Sequence, residues 1–167
     1  MNTETKQYRI EKDSLGEVKV PVEAYYGAQT TRALENFPIS GIRPHPISTR
    51  SMVYIKKAAA KVNNELGCLD NEKSEAIINA ADRIIEGEFK DQFVVDVYQA
   101  GAGTSFNMNV NEVISNIAIE SLGWKKGNYS VIHPNDHVNL GQSTNDVFPA
   151  TMRISALYLL KGLFPVV

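Results

Sequence analysis

The stretch GAGTSFNMNVNEVISNIAIESL, residues 101–122, joins a glycine-rich turn to a long helical pattern. Its apolar residues recur every three or four positions, which is the spacing of one face of a helix: Val110, Val113, Ile114, Ile117 and Leu122. This periodicity predicts a helix over about Asn107 to Leu122, opened by the turn from Gly101 to Ser105. The fold class that follows is mainly α.

Three further helices are predicted before this stretch. A short one covers about Ala28 to Glu35. The next is opened by Ser48 as N-cap and stopped by Gly67. Its apolar stripe consists of Met52, Ile55, Ala59, Val62 and Leu66. The third runs from about Asn71 to Glu86 and ends at Gly87. Its inward residues are Ile77, Ala80, Ala81, Ile84 and Ile85.

The two ends of the chain carry different patterns. Tyr8 to Pro21 is typical of a short β-hairpin that turns near Asp13 to Gly16. Thr151 to Val167 is a strongly apolar helical pattern, with side chains that need a surface to cover: Met152, Leu159, Leu160 and Leu163. We therefore expect a piece of a longer chain, with a domain boundary near Gly141.

Composition excludes several classes of protein. The chain has 167 residues, of which 43% are hydrophobic and 22% charged, as in a soluble globular protein. The net charge of −2 has its signs interspersed, so neither nucleic acid nor a membrane surface is expected as a partner. Cys68 is the single cysteine, and no apolar signal core opens the chain. A cytoplasmic location is the expectation.

The run from His133 to Asp146, HPNDHVNLGQSTND, is the most informative for function. It packs imidazole, amide, carboxylate and hydroxyl groups together and contains no Lys, Arg or Glu. Buried polar groups each need a hydrogen-bond partner, so this run does not resemble a core element. Neutral donors of this kind suit a small anion that is held without a metal.

Local structure offers a simpler explanation for parts of these motifs. The segment from Gly101 to Ser105 could bind an anion at the start of a helix, but it lacks the lysine of a P-loop. A plain tight turn with Ser105 as helix cap is the simpler explanation. Asp146 is explained as a helix cap ahead of Pro149. Four asparagines lie in the helical stretch: Asn107, Asn109, Asn111 and Asn116. Most of them are expected to cap the helix or bond loops, and Asn107, which is nearest the turn, is the best candidate for contact with a ligand.

Other charged groups carry weaker signals. His133 and His137 have helical spacing but stand in a loop-like context, so no metal site is predicted. Arg32 and Arg43 are simplest as surface arginines. The pair Lys56–Lys57 is interpreted as a solvated face of its helix.

Three blocks of sequence together resemble the aspartase/class II fumarase family. The first is Tyr26-Gly-Ala-Gln-Thr30 with Leu34-Glu-Asn-Phe37. The second is Gly101-Ala-Gly-Thr-Ser105 with Asn107 to Glu112. The third is the run from His133 to Asn139 followed by Gln142-Ser-Thr-Asn-Asp146. They occur in the family's order and cover nearly the whole chain, so jointly they are very specific.

The resemblance implies an architecture. Residues 1–141 would form the helical N-terminal lyase domain with its short hairpin, and residues 142–167 would begin the central helical domain, which is truncated here. In the family, central helices form a homotetramer, and each active site is assembled from three subunits. The catalytic base is a serine on a mobile loop with no counterpart in this sequence. The resemblance thus places no catalytic residue within residues 1–167 and implies that this piece alone is inactive.

The resemblance also implies roles for individual residues. The family reaction is a reversible elimination that gives fumarate, with no cofactor, and its intermediate carries two negative charges on one carboxylate. Thr104, Ser143 and Thr144 would hold that carboxylate, and Asn145 would contact the leaving group. Ser105 would help shape the pocket. A second, non-catalytic anion site of the fumarases is matched by His133, Asn135 and Asp136.

The same comparison bears on the substrate. Fumarases usually have Gly-Ser-Gly-Thr-Gln and Ser-Ser-Asn-Asp where this chain has Gly101-Ala-Gly-Thr-Ser105 and Ser143-Thr-Asn-Asp146. Both departures favour elimination of ammonia from L-aspartate. The run His133 to His137 occurs in fumarases, which keeps water elimination from malate as the alternative. A third alternative, an inactive helical interaction module, fits less well because such a module is expected to end in a capped, polar terminus.

Overall fold

A two-stranded antiparallel hairpin opens the part of the chain that the structure describes, which in this computed structural model is residues 7–163. Strand β1, Tyr8–Asp13, pairs with β2, Gly16–Pro21, in the register that sets Tyr8 opposite Pro21 and Asp13 opposite Gly16. The predicted hairpin and its turn are confirmed. Val18 and Val20 are buried on one face, and the side chain of Arg9 donates to four backbone carbonyls, those of Pro21, Val22, Ala24 and Tyr26.

Helices α1 and α2 follow the hairpin. Helix α1 is Ala28–Asn36, as predicted within one residue. Helix α2 is Pro46–Glu65, so the predicted start at Ser48 is wrong. The fixed φ of Pro46 suits the first helical position, and His45 is the cap, because its Nδ1 accepts from the N–H of Ile47 at 3.2 Å.

The buried face of α2 is only partly the predicted one: Met52 is buried, and Ile55 and Ala59 are half-buried. The residues that face the core are Thr49, Ser51, Met52, Val53, Lys56 and Ala60. Val62 and Leu66 of the predicted stripe are 49% and 70% exposed. Two sets of residues along this helix have the spacing of one helical face. The set that is buried contains Lys56, and a pattern based on hydrophobic residues predicts that a lysine is exposed.

Helix α3, Asn71–Glu86, has the predicted bounds. Asp70 caps it by accepting from the N–H of Lys73 at 2.9 Å, and Gly87 ends it in the left-handed region at φ +105°. Its predicted inward residues Ile77, Ala80, Ala81 and Ile84 are buried, while Ile85 is half-buried. Helices α2 and α3 form an antiparallel pair, which packs against the next helix.

Helix α4, Thr104–Ser121, is the core of the molecule. It is buried on all sides from Ser105 to Ile119, apart from the half-buried Met108, and it contacts α1, α2, α3 and the last helix. A helix buried all round cannot show a strongly amphipathic pattern. It begins at Thr104, three residues before the predicted start.

The last helix, α5, is Thr144–Leu163. It packs on α2, where the buried Ser155 donates to the carbonyl of Thr151 and lies 3.0 Å from Oγ of Ser51. Large apolar side chains cover its other side and are exposed: Met152, Ile154, Leu157, Tyr158, Leu159 and Leu160. The side chain of Leu163 and residues 164–167, part of the predicted apolar pattern, lie outside the described residues. Within residues 7–163 no helix is both long and apolar enough to cross a membrane.

Candidate functional site

The glycine turn meets the start of α5. Ala102 and Gly103 adopt left-handed backbone angles, with φ of +57° and +72°. A Cβ on Gly103 would lie 2.1 Å from Cδ2 of Phe148, so only glycine permits this approach. The turn therefore packs directly against the first turns of α5.

Ser105 is not the cap of α4. The N-cap is Gly103, which has no side chain to offer, and Ser105 lies buried inside the helix. The N–H of Phe106 is bonded instead to Oε1 of Gln99 at 2.6 Å. The prediction of Ser105 as a cap is wrong because the helix begins one residue before it.

Helix α5 likewise begins earlier than its predicted cap. Asp146 lies in the first turn, and the side chain at the start is Ser143, whose Oγ accepts from the N–H of Asn145 at 3.3 Å. Pro149 then falls in the second turn and leaves the carbonyl of Asn145 without its helical donor. The prediction of Asp146 as a cap is wrong for this reason.

The residues to which the family resemblance assigns carboxylate and leaving-group binding lie around this junction. Thr104 is exposed, and its Oγ1 donates to the carbonyl of Gly101 at 3.2 Å. Ser143 and Asn145 are exposed, and Thr144 is half-buried. The Oγ1 of Thr144 accepts from Nδ2 of Asn107, one turn beyond Thr104, at 3.0 Å. The two motifs, far apart in sequence, are therefore joined by a direct hydrogen bond.

A buried lysine stands behind this junction. Lys56 is fully buried, and its Nζ donates to Oδ1 of Asn107 at 2.7 Å and to Oδ1 of Asn139 at 2.6 Å. The interpretation of Lys56 as part of a solvated face is therefore wrong. Its neighbour Lys57 lies partly exposed and pairs with Asp82 at 2.5 Å.

The charge of Lys56 is not neutralised by a carboxylate. Its two partners are neutral amide oxygens, and no ion pair involves it among residues 7–163. Burial lowers the pKa of Lys56 to about 7, because the charged form loses its hydration. Lys56 and Asn139 are the residues that sequence reasoning missed. The available signal was the position of Lys56, four residues after Met52 and four before Ala60, on the apolar face.

Two of the other asparagines of α4 bond neighbouring loops, as predicted. Asn109 accepts from the N–H of Val94 and donates to the carbonyl of Gln92. Asn116 accepts from the N–H of Gly127 and donates to the carbonyl of Tyr25. Asn107 alone of the four contacts the hydroxyl run. That Asn107 contacts a ligand stays a prediction.

The residues predicted for a second anion site form a separate structure. Pro134–Val138 is a single π-helical turn, and His133 caps it through Nδ1, which accepts from the N–H groups of Asn135 and Asp136 at 3.2 Å each. Asn135 and Asp136 are exposed. His133 and Asn135 line a cavity of about 250 Å³ that also involves Lys12, Gln29 and Glu112. These residues are not part of the Thr144 junction.

Both histidines of the run use a ring nitrogen for local structure. Nδ1 of His137 accepts from the N–H of His133 at 2.8 Å. Burial, assisted by the charge of Lys73, lowers the pKa of His137, so its ring favours the neutral form. Across residues 7–163 no group of three or more His, Cys, Asp or Glu side chains is arranged to hold a metal ion.

Two buried carboxylates, Glu112 and Glu11, accept hydrogen bonds from backbone N–H groups at the start of α1. Glu112 accepts from the N–H groups of Gly27, Gln29 and Thr30 at the start of α1. Burial raises the pKa of Glu112 to about 7, although the hydrogen bonds from these N–H groups act to lower it. Glu11 accepts from the N–H of Ala28 and from the Tyr129 hydroxyl. Arg32, predicted as a surface arginine, is half-buried, and its guanidinium donates two hydrogen bonds to Asp13, at 2.8 and 2.9 Å.

Comparison with known proteins gives the class of protein to which this fold belongs. The family model described as lyase matches residues 16–166, and the chain belongs to this family. An aspartate ammonia-lyase from a Bacillus species is 56% identical over 98% of this chain. A class II fumarate hydratase from Halobacterium salinarum is also 56% identical, over 92% of the chain.

Solved structures agree with the fold. The native crystal structure described as fumarate lyase:delta crystallin from Brucella melitensis matches 90% of this chain with a TM-score of 0.88 and 52% identity. The chain spans about a third of the length of the relatives it matches, 34% and 32% for the two enzymes and 34% for the Brucella protein. The predicted helical fold and the family resemblance are confirmed.

Proposed function

We propose that this chain is part of a lyase that reversibly eliminates ammonia from L-aspartate to give fumarate, and that it supplies one wall of the substrate site. In this proposal Thr104, Ser143 and Thr144 hold the carboxylate next to the acidic carbon. Asn145 contacts the leaving amine, and Ser105 shapes the floor of the pocket. No residue of this chain acts as the base, and no cofactor takes part.

The observation that carries the proposal is the 3.0 Å hydrogen bond from Asn107 to Thr144. It joins the helix that carries Thr104 to the hydroxyl run, which supports one shared site for the two motifs. Elimination removes a proton from the carbon beside a carboxylate and breaks the C–N bond. The intermediate gathers charge on the carboxylate oxygens, and preorganised hydroxyl and amide donors stabilise such charge.

Ammonia is preferred over water because the two short motifs, Gly101 to Ser105 and Ser143 to Asp146, resemble those of aspartases. The second candidate is a class II fumarate hydratase, which would add water to fumarate to give L-malate. It is favoured by the run His133 to His137 and by the relative from Halobacterium at 56% identity. In that reading His133, Asn135 and Asp136 form a second, non-catalytic anion site.

The setting of the whole protein belongs to the same proposal. The enzyme is a cytoplasmic homotetramer whose partner in binding is a small dicarboxylate and not nucleic acid or a membrane. Residues 142–167 begin its central helical domain, and residues 1–141 form the preceding domain. The exposed apolar side of α5 supports this division, because such side chains need a covering surface.

The test is a comparison of kcat/KM for L-aspartate and L-malate with the full-length protein. We expect the larger value for L-aspartate; a larger value for L-malate would favour the hydratase. Thr144→Ala should lose about 2–4 kcal/mol of transition-state stabilisation, the usual effect of removing one oxyanion donor. Ser130→Ala, which removes an exposed hydroxyl that bonds Asn128, is the control. An unchanged kcat/KM in Thr144→Ala would remove Thr144 from the site.

A further inference from the structure

We propose that Lys56 is a positioning residue that sets the direction of the hydrogen bonds leading to Thr144, so that the Thr144 hydroxyl proton is directed at the substrate carboxylate. The inference rests on the proposed function, because Thr144 contacts substrate only in that function. Lys56 itself does not touch the substrate. It acts through Asn107.

Burial of Lys56 costs free energy of folding. Its ammonium is fully buried, and it has amide partners but no carboxylate among the described residues. A buried polar network of this kind is often no more stable than well-packed apolar side chains of the same volume. A methionine at position 56 would fill the space beside Met52 and Ala60 without losing hydration. Stability alone therefore gives no reason for a lysine here.

An ammonium group fixes the orientation of its amide partner. In its protonated form lysine Nζ carries only donors, so the atom of Asn107 that faces a charged Lys56 must be the oxygen. The amide nitrogen, Nδ2, must then face the other way, toward Thr144. Side-chain amides with no such neighbour can reverse oxygen and nitrogen at little cost. Lys56 removes that freedom.

The orientation of Asn107 bears on the hydroxyl of Thr144. Because its Oγ1 accepts from Nδ2 of Asn107, the hydroxyl proton is not used in that bond. The proton remains available for an outside acceptor, and Thr144 is half-buried at the junction where the substrate wall is proposed. With Asn107 reversed, Thr144 would donate inward and present only lone pairs to an anion. The direction of one hydrogen bond thus decides whether Thr144 attracts or repels a carboxylate.

Asn139 reinforces the same arrangement. Its Oδ1 accepts from Lys56 and, at 3.3 Å, from Nδ2 of Asn107. Its own Nδ2 donates to the carbonyl of Gln142 at 3.1 Å, directly before Ser143. Lys56 therefore controls both the inner partner of Thr144 and the approach of the chain to the hydroxyl run. Such preorganisation is what an oxyanion donor requires, since no reorientation is needed during the reaction.

The first experiment combines substitutions in the full-length protein. Lys56→Met is expected to lower kcat/KM for L-aspartate by about 10- to 100-fold, the range seen when a supporting residue is removed. Lys57→Met, the adjacent lysine that pairs with Asp82, is the matched control and should leave kcat/KM unchanged. In the Thr144→Ala background Lys56→Met should cause no further loss, because its effect passes through the missing hydroxyl. Thr144→Ser keeps a hydroxyl and should restore sensitivity to Lys56→Met.

A second substitution tests direction without removing the lysine. Asn107→Asp keeps the shape of the side chain and gives Lys56 an ion partner, so the protein is expected to fold even where Lys56→Met does not. The new carboxylate can only accept, which forces Thr144 to donate inward. We expect a loss in kcat/KM close to that of Thr144→Ala, with an unfolding midpoint no lower than the parent. In the Thr144→Ala background this loss should disappear.

Failure of the proposed function and failure of the role of Lys56 give different results. If the unmodified full-length protein turns over neither L-aspartate nor L-malate, the proposed function fails and the role of Lys56 fails with it. If turnover is normal but the losses of Lys56→Met and Thr144→Ala are additive, only the role of Lys56 is overturned. The role of Lys56 is also overturned if Asn107→Asp retains the parent kcat/KM. It is overturned as well if Asn107→Asp lowers kcat/KM by the same factor in the Thr144→Ala background as in the parent.

Discussion

Asp96 shows at the scale of one residue how a loop is fixed to the core. Its carboxylate accepts from the N–H groups of Ser40, Gly41 and Tyr98 at 2.6–2.8 Å and from the Ser40 hydroxyl. Burial would raise the pKa of Asp96, but these hydrogen bonds outweigh it and lower the pKa to about 2. The ionised form therefore stabilises the fold.

This gives a prediction for Asp96→Asn. The pKa of Asp96 in the fold lies below its usual 3.8, so its contribution is fully present above about pH 4 and is lost as the pH falls through 2. The urea midpoint of Asp96→Asn should lie below that of the parent at pH 7, and the gap should narrow between pH 4 and pH 2. Asp91→Asn, at an exposed position, is the control. A gap that does not change with pH would contradict the assignment.

Single residues also show where sequence reasoning reaches its limit. Lys56 and Lys57 are adjacent and chemically identical, yet one is buried against two amides and the other pairs with Asp82 near the surface. Which lysine turns inward depends on Asn139, more than eighty residues further along the chain. Neither composition nor periodicity contains that contact. By contrast, the place of Asn107 beside the hydroxyl run agrees with its position in the sequence, because it is the asparagine nearest the glycine turn.

At the scale of elements, local signals located the helices well and their faces less well. The bounds of α3 follow from Asp70 and Gly87, which act on neighbouring backbone groups. The buried face of α2 was only partly predicted, because tertiary contacts and not local propensity decide which residues of the helix face the core. The starts of α4 and α5 were placed late, since both open with hydroxyl and amide residues that usually precede a helix.

The glycine turn supports a second prediction at this scale. Gly103→Ala should destabilise the protein by about 1–2 kcal/mol from its left-handed backbone alone, and by more because the new methyl group would meet the ring of Phe148. Gly67→Ala is a matched control, with the same φ of +72° and open space around it. Chemical denaturation of both variants gives the comparison. Equal losses would show that the Phe148 contact does not constrain the turn.

At the scale of the whole molecule, the fold class and family were predictable, because several motifs agreed in order and spacing. The arrangement of the wall was only partly predictable: the resemblance assigned Thr104 and Thr144 to one site, whereas the hydrogen bond from Asn107 to Thr144 and the lysine behind it were not predicted. The large apolar side chains on α5 remain exposed in this chain, which spans about a third of its relatives' length.

One prediction belongs to this scale. The 167-residue chain alone should form no fumarate from L-aspartate or L-malate, because the proposed base lies outside it. Absorbance of fumarate at high protein concentration provides the measurement, with the full-length protein as positive control. Clear turnover by the 167-residue chain would contradict the assignment of the base.

The packing of Gly103 against Phe148 has a consequence for how the sequence can change in length. Gly103 and Asn107 stand four residues apart, as do Thr144 and Phe148, so the two segments touch at two points about one helical turn apart. Inserting one residue between Thr144 and Phe148 would rotate the ring by about 100° and break one contact whenever the other is kept. An insertion near Gly123 to Lys126 would disturb neither contact. We expect natural variants and engineered libraries to accept insertions and deletions in that loop and to reject them within these two short helical segments.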